Sequence, residues 1–258
     1  MAHKICFINQ KGGVGKTTLT FHTSGALAEF GKKVLIIDLD AQGNLSFCFF
    51  DDKEAIPLTV NDILKEDGEE IAKIISKTDF DKIDIVPANK KLRDLDTRLA
   101  SQYDAQFYLM DELQDIESKY DYILMDCPPS LGIATRMALV ATNYVVIPIE
   151  SEGFSLEGSA QIVSYILEAQ KRANPNLKLM GFVFNKLDLR RDSEKGYREI
   201  LKEQYNDTLF RTEFKRSVKY REAYLFGKKP INFYRPVSDE AETARAFVKE
   251  IISYVEKN

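Results

Sequence analysis

The sequence predicts an α/β fold, a doubly wound, mostly parallel sheet flanked by helices, and three observations carry that prediction. Short apolar runs rich in Val and Ile alternate with longer segments of helical periodicity. A glycine-rich stretch bearing two lysines, NQKGGVGKTTL at 9–19, follows the first run, and polar residues close the carboxyl ends of several others. Continuous apolar runs suit strands covered on both faces, the condition of a parallel sheet between helical layers. Strands alternating with helices imply right-handed crossovers, and in such sheets ligands collect outside the carboxyl ends of the strands.

Taken in order, KICFIN at 4–9 is the first expected strand, and Gly12, Gly13 and Gly15 precede a helix over about 16–30. KVLIIDLD at 33–40 is the second, ending on Asp38 and Asp40, with a helix over about 59–76 after it. IDIVPA at 83–88 and a helix at about 105–118 come next, then YDYILMDC at 120–127, punctuated by Asp126, and a helix at about 131–141. YVVIPIE at 144–150 leads to a helix at about 155–173, and LMGFVFNK at 179–186, punctuated by Asn185, to one at about 193–206. A last helix, about 238–256, carries Phe247, Val248, Ile251, Ile252 and Val255 at helical spacing with balanced charges, the pattern of core packing rather than of a basic membrane-surface helix. With 44% hydrophobic content, no internal repeat and no linker rich in Gly, Ser or Pro, residues 1–258 are expected to form one domain.

Cys6, Cys48 and Cys127 stand singly in apolar stretches with no C-x-x-C pair, which argues against a disulfide framework or thiolate metal site and for buried thiols of a cytoplasmic protein. No run approaches the roughly 20 apolar residues of a spanning helix, and MAHKICFINQ has no signal-like apolar region, so no membrane partner is expected. The net charge of −4 conceals an asymmetry. Residues 186–235 hold 14 Lys and Arg against 8 Asp and Glu, the remainder 22 against 32, a contrast that fits either a basic face or unevenly charged, solvated helices.

A phosphate loop works because consecutive backbone N–H groups converge at the start of a helix and glycines let the backbone approach the anion. The generic pattern G-x-x-x-x-G-K-[ST] is met at Gly15, Lys16 and Thr17 but not at its first glycine, where Gln10 stands. Gly12, Gly13, Val14 and Gly15 are expected to form the loop, Lys16 to bridge the β- and γ-phosphates, Thr17 to coordinate Mg2+ and Thr18 to reach the α-phosphate. Asp126 stands where a carboxylate would hold the metal through a water. Asp38 and Asp40, two apart at a strand end, can divide support of the metal shell from orientation of an attacking water. Lys11 would crowd like charge against Lys16 if both served one loop. Projecting outward, it can reach the phosphates of a facing subunit, so that two nucleotides join a symmetric dimer.

KGGVGKTT resembles the deviant Walker A motif of the ParA/MinD family of ATPases, and DLDAQGN resembles its second motif, D-x-D-P-Q-G-N, with Ala41 in place of proline. ILMDCPPSLG is similar to the family's Walker B segment and PIESEGFSLEG to the strand and loop after it, so that the resemblance runs over about residues 3–252. It implies ATP and Mg2+ as cofactors, slow hydrolysis, and an ATP-dependent homodimer in which Lys11 crosses to the partner's nucleotide. It also implies that Asp40 orients the water and Asn185 reads the adenine edge.

Within the family, the absence of paired cysteines sets the chain apart from iron proteins, iron–sulfur scaffolds and tail-anchor targeting ATPases. The ParA or Soj branch remains. EFKRSVKYREAYLFGKKPI at 213–231 resembles that branch's stretch I-P-R-N-V-R-L-S-E-A-P-S-x-G-K. Aligned through Glu222 and Ala223, Arg216 and Lys219 match its two basic positions, Lys215 and Arg221 add charge nearby, and Lys215 and Ser217 replace its first proline and its asparagine. The resemblance implies nonspecific DNA contacts from these four cations within a basic segment at about 186–235, with Tyr220, Tyr224 and Phe226 as packing groups. It further implies a ParB-like centromere-binding partner that stimulates hydrolysis, and a nucleoid-associated location. The loop begins nine residues into the sequence, leaving no room for a preceding helix-turn-helix, so DNA binding is expected to be nonspecific and salt-sensitive. Two other readings stay open: an ATPase that positions a protein cargo or regulates a membrane-bound machine, and a metabolic ligase on the same fold, against which Lys11 argues.

Overall fold

The computed structural model describes residues 1–52, 56–64, 68–150, 156–188, 190–205 and 208–258, without the side chains of 156–159 and 204. The six apolar runs become strands, β1 (His3–Phe7), β2 (Val34–Asp38), β4 (Ile83–Val86), β5 (Tyr122–Asp126), β6 (Tyr144–Ile149) and β7 (Lys178–Phe184), and a short strand that no apolar run announces, β3 (Ser76–Lys77), joins them. They form a sheet in the order β3-β4-β2-β5-β1-β6-β7, parallel throughout except that β3 runs antiparallel to β4. The longer helices are α1 (Lys16–Glu29), α7 (Ile133–Ala141), α8 (Leu156–Arg172), α9 (Asp192–Tyr205) and α12 (Asp239–Lys257). Between them lie α2 (Asn44–Phe47), α3 (Val60–Ile63), α4 (Ile71–Ile74), α5 (Leu95–Arg98), α6 (Tyr108–Gln114), α10 (Val218–Glu222) and α11 (Ile231–Tyr234).

Strand alternation splits each apolar run between two cores. Leu35, Ile37, Ile123 and Met125 face one layer, where Leu109, Leu113, Met137 and Ile162 cover them. Val34, Ile36, Tyr122 and Leu124 face the other, under Leu19, Phe21 and Leu27 of α1 and Phe247, Val248 and Ile251 of α12. Ser238 begins α12 by accepting the Ala241 N–H, and the expected apolar stripe then packs inward, each fully buried large side chain worth roughly 1.5–3 kcal/mol. Gly25 lets α1 meet the chain entering α11, since a Cβ there would lie 2.1 Å from Pro230 Cβ.

The helix expected over 59–76 is not continuous among the described residues. Thr59 and Asp62 form a capping box that starts α3, and residues 68 and 69 lie back against it. The Glu69 N–H bonds the Asp62 carbonyl at 2.9 Å, and a Cβ on Gly68 would lie 2.7 Å from the Ile63 carbonyl oxygen. The apolar spacing that suggested one helix serves two short turns, α3 and α4, both buried against the same core. Its last expected residue, Ser76, belongs to β3.

Placing β5 between β2 and β1 has a consequence for chemistry. Phe7 and Asp38 both lie in register with Asp126, so the chain segments leaving these three strands meet at one edge.

Candidate functional site

The loop from β1 to α1 depends on backbone that side chains resist: φ is +79° at Gly13 and +92° at Gly15. A Cβ on Gly15 would also lie 2.0 Å from Nδ2 of Asn185, whose amide donates to the Val14 carbonyl at 2.6 Å. The residue after β7 thus rests on the loop. Lys16, 6% exposed, turns inward and donates to the Asn9 carbonyl at 3.0 Å. Burial lowers its pKa against the opposing pull of Asp126, Cys127 and Asp40. A cavity of about 330 Å³ opens over Gly12, Gly13, Gly15, Lys16, Thr17 and Thr18, with Asp40, Gln42, Asn44 and Tyr224 among its other walls.

Thr17 Oγ1 donates to Asp126 Oδ2 at 2.6 Å, while Oδ1 of the same carboxylate is buried without a hydrogen-bond partner. Burial and the neighbouring Asp38 raise the Asp126 pKa well above the usual carboxylate range, against the Thr17 bond and Lys16. Asp38 is also pushed up, to about 6, by burial, although hydrogen bonds from Ser46 and Asp40 oppose the shift. Both of its oxygens are engaged: Oδ1 by the Asp40 N–H at 3.1 Å, Oδ2 by the Ser46 N–H and hydroxyl at 2.8 and 2.7 Å. Asp38 is therefore an anchor for the turn that carries Asp40. A cation is the natural complement to two buried acids and an orphaned oxygen. Among the described residues no cluster of three or more His, Cys, Asp or Glu is arranged to cage a metal. Mg2+ keeps waters and phosphate oxygens among its ligands and so needs few protein oxygens.

Lys11 occupies a different environment. Its side chain is 42% exposed, and its ammonium pairs with Glu150 Oε2 at 2.9 Å, while Lys186 pairs with Oε1 at 3.0 Å. Burial would raise the Glu150 pKa, but the two lysines outweigh it and hold the carboxyl below its ordinary value. Lys186, held at φ +56°, also donates to the Gly13 carbonyl. The expected loop after β6 continues into residues 151–155, which lie outside the described residues.

The four expected DNA-contacting cations divide. Lys219 is tied to Glu240 at 2.9 Å. Lys215, Arg216 and Arg221 are exposed, make no salt bridge among the described residues, and line a second cavity of about 630 Å³ shared with Thr18, Asn185, Val218 and Tyr224. Much of the surrounding positive excess is paired internally, as in Arg198 with Glu213 at 2.8 Å and Arg190 with Asp188 at 2.7 Å. Sequence reasoning did not single out Glu150 or Lys186 as site residues, although both sit at strand ends, or Ser46, whose link to Asp38 has no local signature. Tyr224 packs against the core as expected, and it also lines both cavities.

Comparison with known proteins finds relatives over nearly the whole chain. A family described as an AAA domain matches residues 2–179. The chain is 36% identical over 251 residues to the sporulation initiation inhibitor protein Soj of Bacillus subtilis (strain 168), covering 97% of this chain and 98% of that one. It is 35% identical over 256 residues to the chromosome-partitioning ATPase Soj of Treponema pallidum (strain Nichols), covering 98% of each. Among solved structures, cobyrinic acid a,c-diamide synthase from Mycobacterium smegmatis with bound ADP and magnesium superimposes with a TM-score of 0.86 at 27% identity, over 99% of this chain and 96% of that one. Full-length identity at this level, joined to a glycine loop that departs from the generic pattern at Gln10 and adds Lys11, places the chain in the ParA/Soj family of P-loop ATPases with a deviant Walker A motif.

Proposed function

We propose that this protein is an ATP-switched partition ATPase built as one domain over residues 1–258. ATP with Mg2+ joins two copies, the dimer holds nonspecific DNA, and hydrolysis stimulated by a ParB-like centromere-bound partner releases it. A soluble, nucleoid-associated protein of the cytoplasm is the location this reading implies. The observation that carries it is the contrast between the two lysines of one loop, Lys16 buried and turned inward, Lys11 on the outer rim. On this reading one would serve its own nucleotide and the other a facing one.

The loop N–H groups from Gly12 to Thr18 and the Lys16 ammonium would hold the phosphates, Lys16 leaving the Asn9 carbonyl to do so. Thr17 and Asp126 would hold Mg2+, with Asp38 supporting the shell from behind. The metal, when bound, neutralises charge on the β- and γ-oxygens. Asp40 would orient the attacking water and accept its proton as the water oxygen bonds the γ-phosphorus and the bond from that phosphorus to the β–γ bridging oxygen breaks, giving ADP and phosphate. Lys11 would stabilise the charge developing on the partner's phosphates, giving up its contact with Glu150. Asn185, between the loop and the larger cavity, would read the adenine edge.

Lys215, Arg216 and Arg221, with Lys219 beside them, would meet DNA phosphates. The internal pairing of their basic neighbours favours a second reading, an ATPase that positions a protein cargo or regulates a membrane-bound machine. Among the described residues no helix is long and apolar enough to cross a membrane. Lys11 argues against a ligase despite the shared fold of the synthase. Binding to a random-sequence duplex, measured with ATP, with ADP and without nucleotide, separates these readings. Binding confined to the ATP state supports partition, and absence of binding in all three favours the cargo reading.

A further inference from the structure

Tyr224 connects two parts of the site that hydrolysis needs in register. It lies in a π-helical turn, Ala223–Gly227, immediately after α10, a kind of turn frequent at functional sites. Its side chain lines both the 630 Å³ cavity beside Asn185 and the 330 Å³ cavity over the glycine loop. The phenol donates to the Asn44 carbonyl at 3.0 Å, across 180 residues of sequence.

Asn44 opens α2, and the turn before it is the one that carries Asp40. The Gly43 N–H bonds the Asp40 carbonyl at 2.8 Å, and the Gln42 N–H bonds the Asp40 carboxylate at 2.8 Å. Asp38 holds the near end of this turn through the Asp40 N–H, and holds α2 through Ser46. At Asn44 the carbonyl meets the Cys48 thiol at 3.5 Å, while the Cys48 N–H goes to Leu45, so the phenol is its close donor among the described residues. The ring sits edge-on to Phe21 and tilted against Phe47, at centroid distances of 6.5 and 6.3 Å. Lys228, just past the π-turn, donates to the Phe50 carbonyl at 3.4 Å and pairs with Asp51. The π-turn and the residue just past it therefore grip the segment after Asp40 at two points, of which the Tyr224 contact belongs to the wall of the larger cavity. Burial, with Cys48, Asp38 and Asp126 nearby, raises the phenol pKa above its ordinary value.

We propose that Tyr224 is a positioning residue for ATP hydrolysis: it ties the 40–44 turn, and with it the Asp40 carboxylate, to the wall of the nucleoside cavity, so that a single side chain sets both. The inference rests on the water-orienting role proposed for Asp40.

Tyr224→Phe keeps the ring contacts and removes only the hydroxyl. In the full-length protein with ATP and Mg2+, kcat falls about five-fold, the worth of one net hydrogen bond, while KM for ATP stays within about two-fold. Amide exchange at Gln42 and Gly43 quickens, while exchange along α12 stays at the wild-type rate. An unchanged kcat, a raised KM with kcat unchanged, or faster exchange spread over the whole chain overturns the proposal. Asp40→Ala is the companion variant. If it leaves hydrolysis unchanged, the catalytic assignment of Asp40 falls together with the positioning role. If it abolishes hydrolysis while Tyr224→Phe has no effect, the positioning role falls alone.

Discussion

Lys11 and Lys16 carry the same charge on the same loop, and what separates them is the neighbour each has. Lys16 is enclosed by the loop and pulled toward Asp126 and Asp40. Lys11 is held at the rim by Glu150, itself shared with Lys186. Removing the rim lysine leaves the loop N–H groups, Lys16, Thr17 and Asp126 in place. Lys11→Ala is therefore expected to keep ATP affinity within about three-fold while weakening ATP-dependent self-association by about 30-fold or more, the cost of truncating one member of a desolvated charge contact. Equilibrium ATP binding and light scattering with ATP measure the two effects. A variant that dimerises like wild type removes the cross-subunit role. Both lysines are legible in the linear sequence, because a strand, a glycine loop and a helix in direct succession define the loop locally. Glu150 lies 139 residues from Lys11, and no local pattern announces that pairing.

Long-range contacts of the same kind decide how the elements lock together. His22 sits on the buried face of α1, and its Nδ1 accepts the Ile231 N–H at 3.0 Å, fastening α1 to α11. Burial holds its pKa down to about 3. In the unfolded chain the imidazole takes a proton below about pH 6.5, whereas in the folded chain it remains neutral until about 3. The unfolded state binds more protons throughout that window, so this group's contribution to stability is present above it and is lost as pH falls, by about 1.4 kcal/mol per unit well inside it. Between pH 7 and pH 4.5, wild type is expected to lose about 2–3 kcal/mol more than His22→Asn in urea unfolding. Parallel losses would mean that His22 titrates freely in the folded protein. The break in the expected 59–76 helix belongs to this scale as well. Its apolar periodicity suits either one helix or two buried turns, and the close fit of Gly68 against Ile63 chooses the second. The short α2, α10 and α11 have too few residues to show a period at all, and each depends on the surfaces around it.

For the molecule as a whole, the uneven charge bears on DNA binding. Lys219 is a poor probe, since a Glu there would face Glu240. Lys215→Glu with Arg216→Glu alters two exposed cations that make no salt bridge among the described residues. The dimer would lose about four phosphate contacts, weakening ATP-dependent DNA binding and flattening the slope of log affinity against log salt by about 3–4. Both residues line the cavity beside Asn185, so ATP affinity is measured on the same variant to separate lost DNA contacts from lost nucleotide. Unchanged DNA affinity and slope would leave the cargo-positioning reading. The amino-acid sequence by itself determined the α/β class, the run of six strands, the glycine loop and the acids at strand ends, because those features are written in contiguous residues whose period and order suffice to define them. Only the tertiary structure decided that β5 lies between β1 and β2, that Asp38 anchors a turn through Ser46, that Lys219 is held by Glu240, and that Tyr224 bridges two cavities. Each of these depends on which distant surfaces become neighbours when the sheet and its two cores assemble, and that is a property of packing rather than of local pattern.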